Sequence, residues 1–324
     1  MTKLKTNPPT EVPVEFRAPA KPYLAYVDHL KARFGKRLQK VSVDAGFTCP
    51  NRDGMKAFGG CTYCNNSSFV PPYANPGMSI AEQVDAGVEY LRRRYPHAGG
   101  FLVYFQAYSN TYAPLSYLKR LYQQALDHPD VIGLAIGTRP DCIDEVKIDY
   151  LSELAQDYFI SVEYGLESLD DRMLARLNRG HTVADWVEAV EKTAGRGIDI
   201  CTHLILGLPG ESDSQMIESA AALSRYPINS LKLHHLHVVE KTAMAVAYQR
   251  DPFPLLGYRR YIELVMEFLC RLRPDIAIQR LVGETHPRHL IGPNWGVRAS
   301  NVQQQIETEM RRRRLWQGML WEDL

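Results

Sequence analysis

Short, almost uninterrupted apolar runs alternate along the chain with longer stretches in which apolar residues recur every three or four positions. The short runs predict buried strands, and the periodic stretches predict helices with one face towards a core. The predicted strands are 38–45, 101–106, 131–137, 159–164, 198–206 and 229–236. The predicted helices are 23–34, 79–94, 115–127, 144–156, 183–195, 212–224, 257–272 and 299–315. This alternation is typical of an α/β protein with a parallel sheet covered by helices.

Six strand–helix units are enough for an incomplete (β/α)6 TIM-like barrel, whose site lies in the loops after the strands. An open, doubly wound sheet has the same alternation, so the pattern leaves both architectures open. The alternation stops after about residue 272. We expect a disordered, proline-rich lead-in over 1–22, a core domain over 23–272 and a basic C-terminal extension over 273–324 that closes one side of the barrel.

Composition removes several classes of protein. The net charge is +1, so bulk charge says nothing about nucleic acid. No run of about 18 apolar residues is present, and the first residues lack the apolar core of a secretion signal. Three of the six cysteines lie in one loop, which does not look like a disulfide framework. Such thiols fit the reducing cytoplasm, where we expect the protein to act without a membrane.

Cys49, Cys61 and Cys64 lie in the loop after the first predicted strand. Thiolates are natural ligands of iron–sulfur clusters, and three ligands leave one iron of a four-iron cluster open for chemistry. Two alternatives remain at this point. A zinc site usually has a fourth ligand nearby, whereas the next histidine, His97, is far along the chain. A redox C-x-x-C pair would use Cys61 and Cys64 and leave Cys49 idle.

Polar residues and glycines also follow the other predicted strands. They are Gln106, Thr138, Arg139, Asp141, Glu163, Glu167, Gly207 and Gly210. Because the carboxyl ends of barrel strands meet at one rim, we expect these residues to surround one active site. Glycines there let a ligand approach the backbone closely.

A three-cysteine loop ending C-x-Tyr-C, then GLES at 165–168, RGHT at 179–182 and LILGLPGE at 204–211, resembles the radical S-adenosylmethionine (SAM) superfamily. The resemblance covers roughly residues 35–270. The long cysteine loop, TRPD and IQR are similar to the branch that contains the catalytic subunit of Elongator. Within that branch, the chain looks most like the bacterial YhcC/YtqA group.

The resemblance implies one [4Fe–4S] cluster on Cys49, Cys61 and Cys64, with SAM at the fourth iron. A donor such as a flavodoxin or ferredoxin would supply one electron. SAM would then be cleaved to methionine and a 5′-deoxyadenosyl radical that abstracts a substrate hydrogen. By analogy with the branch, the substrate would be the wobble uridine of tRNA.

The resemblance also implies a set of residues that contact SAM: Tyr63, Gln106, Glu167, Arg179, Gly207, Gly210 and His235. Tyr63, the two glycines and the backbone near His235 would meet the adenine. Arg179 would pair with the SAM carboxylate, because guanidinium suits a bidentate partner. Many members have Gly-Gly-Glu at the second strand end to receive the SAM amine. Here the residues are Phe-Gln-Ala, with Gln106 nearest.

Other chemically suggestive residues have plainer interpretations. Cys142, Cys201 and Cys270 stand alone in predicted strands or helices, which indicates small buried side chains rather than ligands. The histidines of HHxH at 234–237 could indicate a metal. Neighbouring residues of a strand face opposite ways, however, so we interpret them as a polar rim.

Four consecutive arginines at 311–314, with Trp295 and Trp316 in the same extension, are the main clue to the substrate. Arginines beside exposed aromatic rings fit RNA phosphates and bases, so tRNA is the expected partner. A charged, solvated helix face is the alternative. Two other functions stay open: radical chemistry on a small metabolite or peptide, and a non-catalytic cluster- or zinc-binding interaction protein. The sequence leaves the oligomeric state unknown.

Overall fold

The computed structural model describes residues 21–65, 71–75 and 77–322. Its main sheet contains seven parallel strands in the order β1 (Leu38–Val43), β2 (Gly100–Phe105), β3 (Val131–Thr138), β4 (Phe159–Glu167), β5 (Asp199–Leu206), β6 (Ser230–His235) and β8 (Ala277–Arg280). A small antiparallel sheet pairs β7 (Val238–Val239) with β9 (Leu290–Gly292). Of the predicted lead-in, residues 1–20 lie outside the described residues.

The α-helices of the described residues are α1 (Tyr26–Phe34), α2 (Ile80–Arg94), α3 (Leu115–Leu126), α4 (Glu145–Leu154), α5 (Asp171–Arg176), α6 (Val183–Thr193), α7 (Asp213–Ser224), α8 (Ala243–Arg250), α9 (Tyr258–Arg271) and α10 (Ala299–Arg312). The apolar pattern predicted all of them except α5 and α8, which are too short to show a repeating pattern. Within the described ranges, no helix is both long and apolar enough to cross a membrane.

The order of the strands decides between the two architectures that the sequence left open. A doubly wound sheet reverses its strand order near the middle. Here the neighbours follow one another in chain order without a reversal. Right-handed crossovers then place every connecting helix on the same face, and the sheet curls around the other face. The incomplete TIM-like barrel is therefore confirmed.

The last strand of the main sheet comes from the predicted extension. β8 lies beyond residue 272 and pairs in parallel with β6, so the sheet has one strand more than the six predicted. The domain boundary at residue 272 stays a prediction.

Helix α1 closes the bottom of the barrel. Tyr26 and Leu30 form one apolar cluster with residues at or near the amino ends of four strands: Leu38, Leu102, Phe159 and Ala277. Ala25, just before α1, pairs with Ile278 of β8. The segment therefore covers a strand edge that would otherwise expose unpaired backbone groups.

Gln317 joins the two ends of the described chain. Its side-chain oxygen accepts a hydrogen bond from the backbone of Leu24 at 2.9 Å. Its amide group donates to the carbonyls of Arg273 and Ile276, both at 2.8 Å. The residue is only 3% exposed. The Arg273 carbonyl also accepts from the backbone of Ile276 at 3.3 Å, whereas the Leu24 amide and the Ile276 carbonyl depend on Gln317.

We predict that Gln317→Ala lowers the free energy of unfolding by about 2 to 4 kcal/mol, because it leaves the Leu24 amide and the Ile276 carbonyl without partners. Urea unfolding followed by circular dichroism measures the change. The control is Gln304→Ala, which removes an exposed glutamine from α10. Equal stability of the two variants would show that Gln317 does not tie the ends together.

Candidate active site

A cavity of about 250 Å³ is lined by residues from the carboxyl ends of the strands and from the cysteine loop. Cys49, Cys61 and Cys64 all contribute to its wall. So do five of the seven predicted SAM contacts: Tyr63, Gln106, Glu167, Arg179 and His235. The structure thus brings most of the predicted site residues to one place.

Gly207 and Gly210 lie outside this lining. Both have positive φ angles, 83° and 87°, which only glycine adopts without strain. A Cβ atom on Gly207 would come within 2.6 Å of Leu256. The turn after β5 and its packing therefore account for these glycines, and their contact with the adenine stays a prediction.

Asn51 anchors the cysteine loop to the segment after α5. Its amide group donates to the carbonyls of Asn178 and Arg179, the latter at 2.8 Å, and lies 3.6 Å from Cys61 Sγ. The residue is completely buried. A buried amide with three polar neighbours holds its surroundings in one arrangement.

Arg179 provides the second anchor. Its guanidinium donates to Cys61 Sγ at 3.4 Å, to the Tyr63 hydroxyl at 3.3 Å and to the Gly165 carbonyl at 2.5 Å. Gly165 belongs to β4, so one buried side chain connects the cysteine loop to the middle of the barrel.

Burial and two arginines have opposite effects on the ionisation of the Cys64 thiol. Burial, with a further contribution from Cys61, raises the pKa of Cys64 to about 11. Arg52 and Arg179 act in the opposite direction. Metal ligation needs the thiolate, so these two arginines are the groups that would support it.

The donor set fits an iron–sulfur cluster. Among the described residues, no three Cys, His, Asp or Glu side chains are already gathered as a metal-binding group. The three thiols nevertheless share one cavity wall, and thiolate is the ligand that such clusters take. Asn51 Oδ1, Arg179 Nε and His235 Nδ1 are buried without a hydrogen-bond partner in the part of the chain described. Such atoms are uncommon in finished interiors, so they fit a site that a bound group completes.

Glu167 has an unusual backbone. Its φ is 72°, in the left-handed region, at an irregularity in the pairing of β4 with β5. Strained residues of this kind cluster at functional sites. Its carboxylate lies 4.0 Å from the Arg179 guanidinium, and burial raises its pKa. A Cβ atom on Gly165 would come within 2.8 Å of this carboxylate, so the glycine makes the arrangement possible.

Arg139 and Asp141, predicted as rim groups, support the cysteine loop. They form a buried bidentate pair with distances of 2.9 and 2.8 Å. Arg139 also donates to the Arg179 carbonyl, and Lys56 of the cysteine loop pairs with Asp141 at 2.5 Å. The TRPD segment therefore holds the loop against the barrel.

Below the cysteine loop, the barrel interior contains a charge network centred on Glu163. Its fully buried carboxylate accepts hydrogen bonds from Lys40, at 2.7 Å, and from Lys232. It also pairs with His203 Nε2 at 3.2 Å. Lys40 further donates to Gln279 of β8 at 2.7 Å. Because Lys40 belongs to β1, this bond spans the open seam between the first and last strands.

The HHxH segment forms a hydrogen-bonded aromatic stack. His235 stacks on Trp295, with ring centroids 4.0 Å apart, and its Nε2 lies 2.7 Å from His237 Nε2. His237 is bonded in turn to Thr285 at 2.8 Å. Burial lowers the pKa of His235 to about 2, so its ring is neutral.

Two other interpretations can be compared with the structure. Cys142, Cys201 and Cys270 are buried, as predicted. Of the arginine run, Arg312 pairs with Glu309 at 2.7 Å, and Arg313 pairs with Glu263 at 2.5 Å. The second pair connects α10 to α9, so part of the run stabilises the fold.

Comparison with known proteins decides the family. Residues 49–223 match the family model described as the radical SAM superfamily. The chain belongs to that superfamily. Residues 228–312 match the radical SAM C-terminal domain, which begins inside the barrel and ends in α10. Radical SAM enzymes use a [4Fe–4S] cluster together with SAM, and this protein is one of them.

Curated relatives confirm the YhcC/YtqA resemblance. The chain is 34% identical to YtqA of Bacillus subtilis over 91% of its own length and 92% of that protein. It is also 34% identical to YhcC of Escherichia coli K12, over 82% of this chain and 85% of that one.

Some more distant relatives are named as enzymes that act on tRNA. The tRNA uridine(34) acetyltransferase of Methanocaldococcus infernus is 27% identical over 41% of this chain, which corresponds to 25% of that protein. Among solved structures, the Elp3 of the same organism has a TM-score of 0.66 at 16% identity, covering 86% of this chain and 64% of that one. This likeness shows a shared fold.

Several residues of this radical SAM site were not predicted. Asn51 lies inside the cysteine loop, and Lys40, His203 and Lys232 are single polar residues within apolar strands. The signal for the latter three was available: a charged or imidazole side chain in a strand buried on both faces must meet a partner in the interior.

We predict that stability falls as the pH falls below about 6.5, because the unfolded histidines bind protons there while the buried ones do not. Burial lowers the pKa of His203 to about 4. Protonation of His203 in the unfolded state alone should lower the free energy of unfolding by about 1 to 2 kcal/mol between pH 7 and pH 5. Unfolding curves at both values should show a smaller loss for His203→Gln than for the unchanged protein. Exposed His97→Gln is the control, and an identical loss in both variants would contradict the prediction.

Proposed function

We propose that this radical SAM enzyme modifies tRNA at the wobble uridine. The observation that carries the chemical part is the cavity wall shared by Cys49, Cys61, Cys64, Glu167 and Arg179. The substrate rests on the partial likeness to the tRNA uridine(34) acetyltransferase and on the fold shared with Elp3.

In this proposal the three thiols bind the cluster, and Asn51 and Arg179 keep Cys61 in place. When bound, the cluster and SAM supply a carbon radical that removes a hydrogen atom from the substrate. Arg179 has an Nε–H group without a partner among the described residues, and this donor would serve the SAM carboxylate. Tyr63 would place its ring against the adenine.

Glu167 and Gln106 would receive the SAM amine. An ammonium group needs acceptors, and both side chains carry an acceptor oxygen on the cavity wall. The Gly-Gly-Glu of many members is replaced here by Phe-Gln-Ala. We propose that Glu167, held in place by its left-handed backbone, supplies the negative charge which that segment lacks.

The exposed tip of the cysteine loop is the proposed contact with RNA. Phe58 is 79% exposed and Met55 is 75% exposed. An exposed aromatic ring is a platform on which a base can stack, and Met55 adds apolar surface to the same tip. The tip is also continuous with the cavity wall through Arg52 and Gly60.

Cys61→Ala should prevent cluster assembly and SAM cleavage. Anaerobic reconstitution is followed by iron content and visible absorption, and dithionite-driven formation of 5′-deoxyadenosine measures cleavage. The matched control is Cys270→Ala, which removes a buried thiol of α9 and should retain both properties. A colourless wild-type protein that carries zinc would refute the radical assignment, as would full cleavage by Cys61→Ala.

Phe58→Ala should weaken tRNA binding about fivefold or more, because one base–aromatic stack contributes about 1 to 3 kcal/mol. Electrophoretic binding of bulk tRNA across a salt series measures the affinity. Val246→Ala, an exposed apolar residue of α8, is the control. Absence of salt-dependent binding by the wild type would exclude RNA as a partner. Mass spectrometry of tRNA nucleosides from cells with and without the gene then tests the modified position.

A further inference from the structure

The floor of the cavity contains more positive than negative charge. Lys232, Arg280 and Glu163 line it. Lys40 lies behind them, and Glu163 accepts from both lysines. Lys232 and Arg280 face each other in register across β6 and β8, and both line the cavity. Neither the cluster nor the SAM contacts proposed above account for these cations.

Arg280 lacks a protein partner. Among the described residues, no hydrogen bond or ion pair engages its side chain. The other carboxylates of the cavity are Glu167, which lies beside Arg179, and Glu284, which is exposed at the rim. Arg280 is half-buried, and a guanidinium that is partly removed from water is normally paired with an anion.

The histidines of the floor do not add charge. Burial lowers the pKa of His203 to about 4. The pKa of His234 lies well below its usual value, because the ring is buried and Arg280 is nearby. The floor therefore carries three cations and one anion near neutral pH, surrounded by neutral hydrogen-bonding rings. Tyr104 adds a hydroxyl 3.0 Å from Lys232.

This cation cluster is separate from the cysteine end of the cavity. Lys232 and Arg280 lie on β6 and β8 and pair in register. The cysteines lie on the loop after β1, where Cys61 is contacted by Asn51 and Arg179.

We propose that Arg280 and Lys232 bind the oxyanion of a small organic substrate, a carboxylate or a phosphate monoester, that enters the barrel beside SAM. The pairing of a planar guanidinium with an ammonium suits such a group. The proposal rests on the proposed function, because the bound molecule would be presented to the same radical. Lys232 and Arg280 line the same cavity as the cysteines and five of the predicted SAM contacts.

The test measures the binding of malonate and of inorganic phosphate to the cluster-reconstituted full chain by calorimetry, at constant ionic strength and with or without SAM. We expect one anion per chain and no competition with SAM. Arg280→Gln should weaken binding about tenfold or more, because a charge-assisted hydrogen bond contributes about 1.5 to 3 kcal/mol. Arg280→Lys should restore part of the affinity, and exposed Arg288→Gln should leave it unchanged.

Tighter binding of malonate would identify a carboxylate metabolite, and tighter binding of phosphate would identify a nucleotide phosphate. The affinity of the wild-type protein for malonate provides a test that needs no variant. It should fall as the pH rises above about 8, because burial lowers the pKa of Lys232 to about 8 and the residue loses its proton there. Equal binding by the wild type and Arg280→Gln, displacement of the anion by SAM, or no saturable binding would overturn the proposal. SAM cleavage by the same preparation shows separately whether the radical function holds.

Discussion

The fully buried carboxylate of Glu163 organises the polar side chains inside this barrel. Glu163 sits on β4 and takes its partners from β1, β5 and β6. Leaving such a charge unpaired in the interior costs several kcal/mol, so the four strands must keep these side chains in mutual reach. Lys40 then carries the connection to Gln279 of β8 and across the seam. The backbones of β1 and β8 do not pair, but side-chain hydrogen bonds connect the two strands across the gap.

Above this layer, the cysteine loop is held by groups that belong to other parts of the chain. Asn51 donates to the carbonyls of Asn178 and Arg179. The Arg179 side chain in turn donates to Cys61, Tyr63 and Gly165. Arg139 donates to the carbonyl of Arg179 as well. A change at Arg179 therefore alters a metal ligand, a neighbouring ring and a strand of the barrel together.

Features that depend on local pattern were predicted well from the sequence, and features that depend on distant contacts were not. Apolar periodicity identified six strands of the main sheet and the longer helices, and the spacing of Cys49, Cys61 and Cys64 identified the loop. The partners of Asn51 lie 127 and 128 residues away, which no local pattern reveals. Arg313 gave an ambiguous signal for the same reason, because Glu263 lies 50 residues earlier on another helix.

The bond between Leu24 and Gln317 spans 293 positions, so it cannot form during synthesis until residue 317 has been added. The partners of the cysteine loop, Asn178 and Arg179, are added about 140 residues earlier. Helix α1 likewise precedes its partner strand β8 by about 250 positions. In a chain made from its amino end, the contacts of the metal-binding end therefore become available before those that seal the opposite end of the barrel.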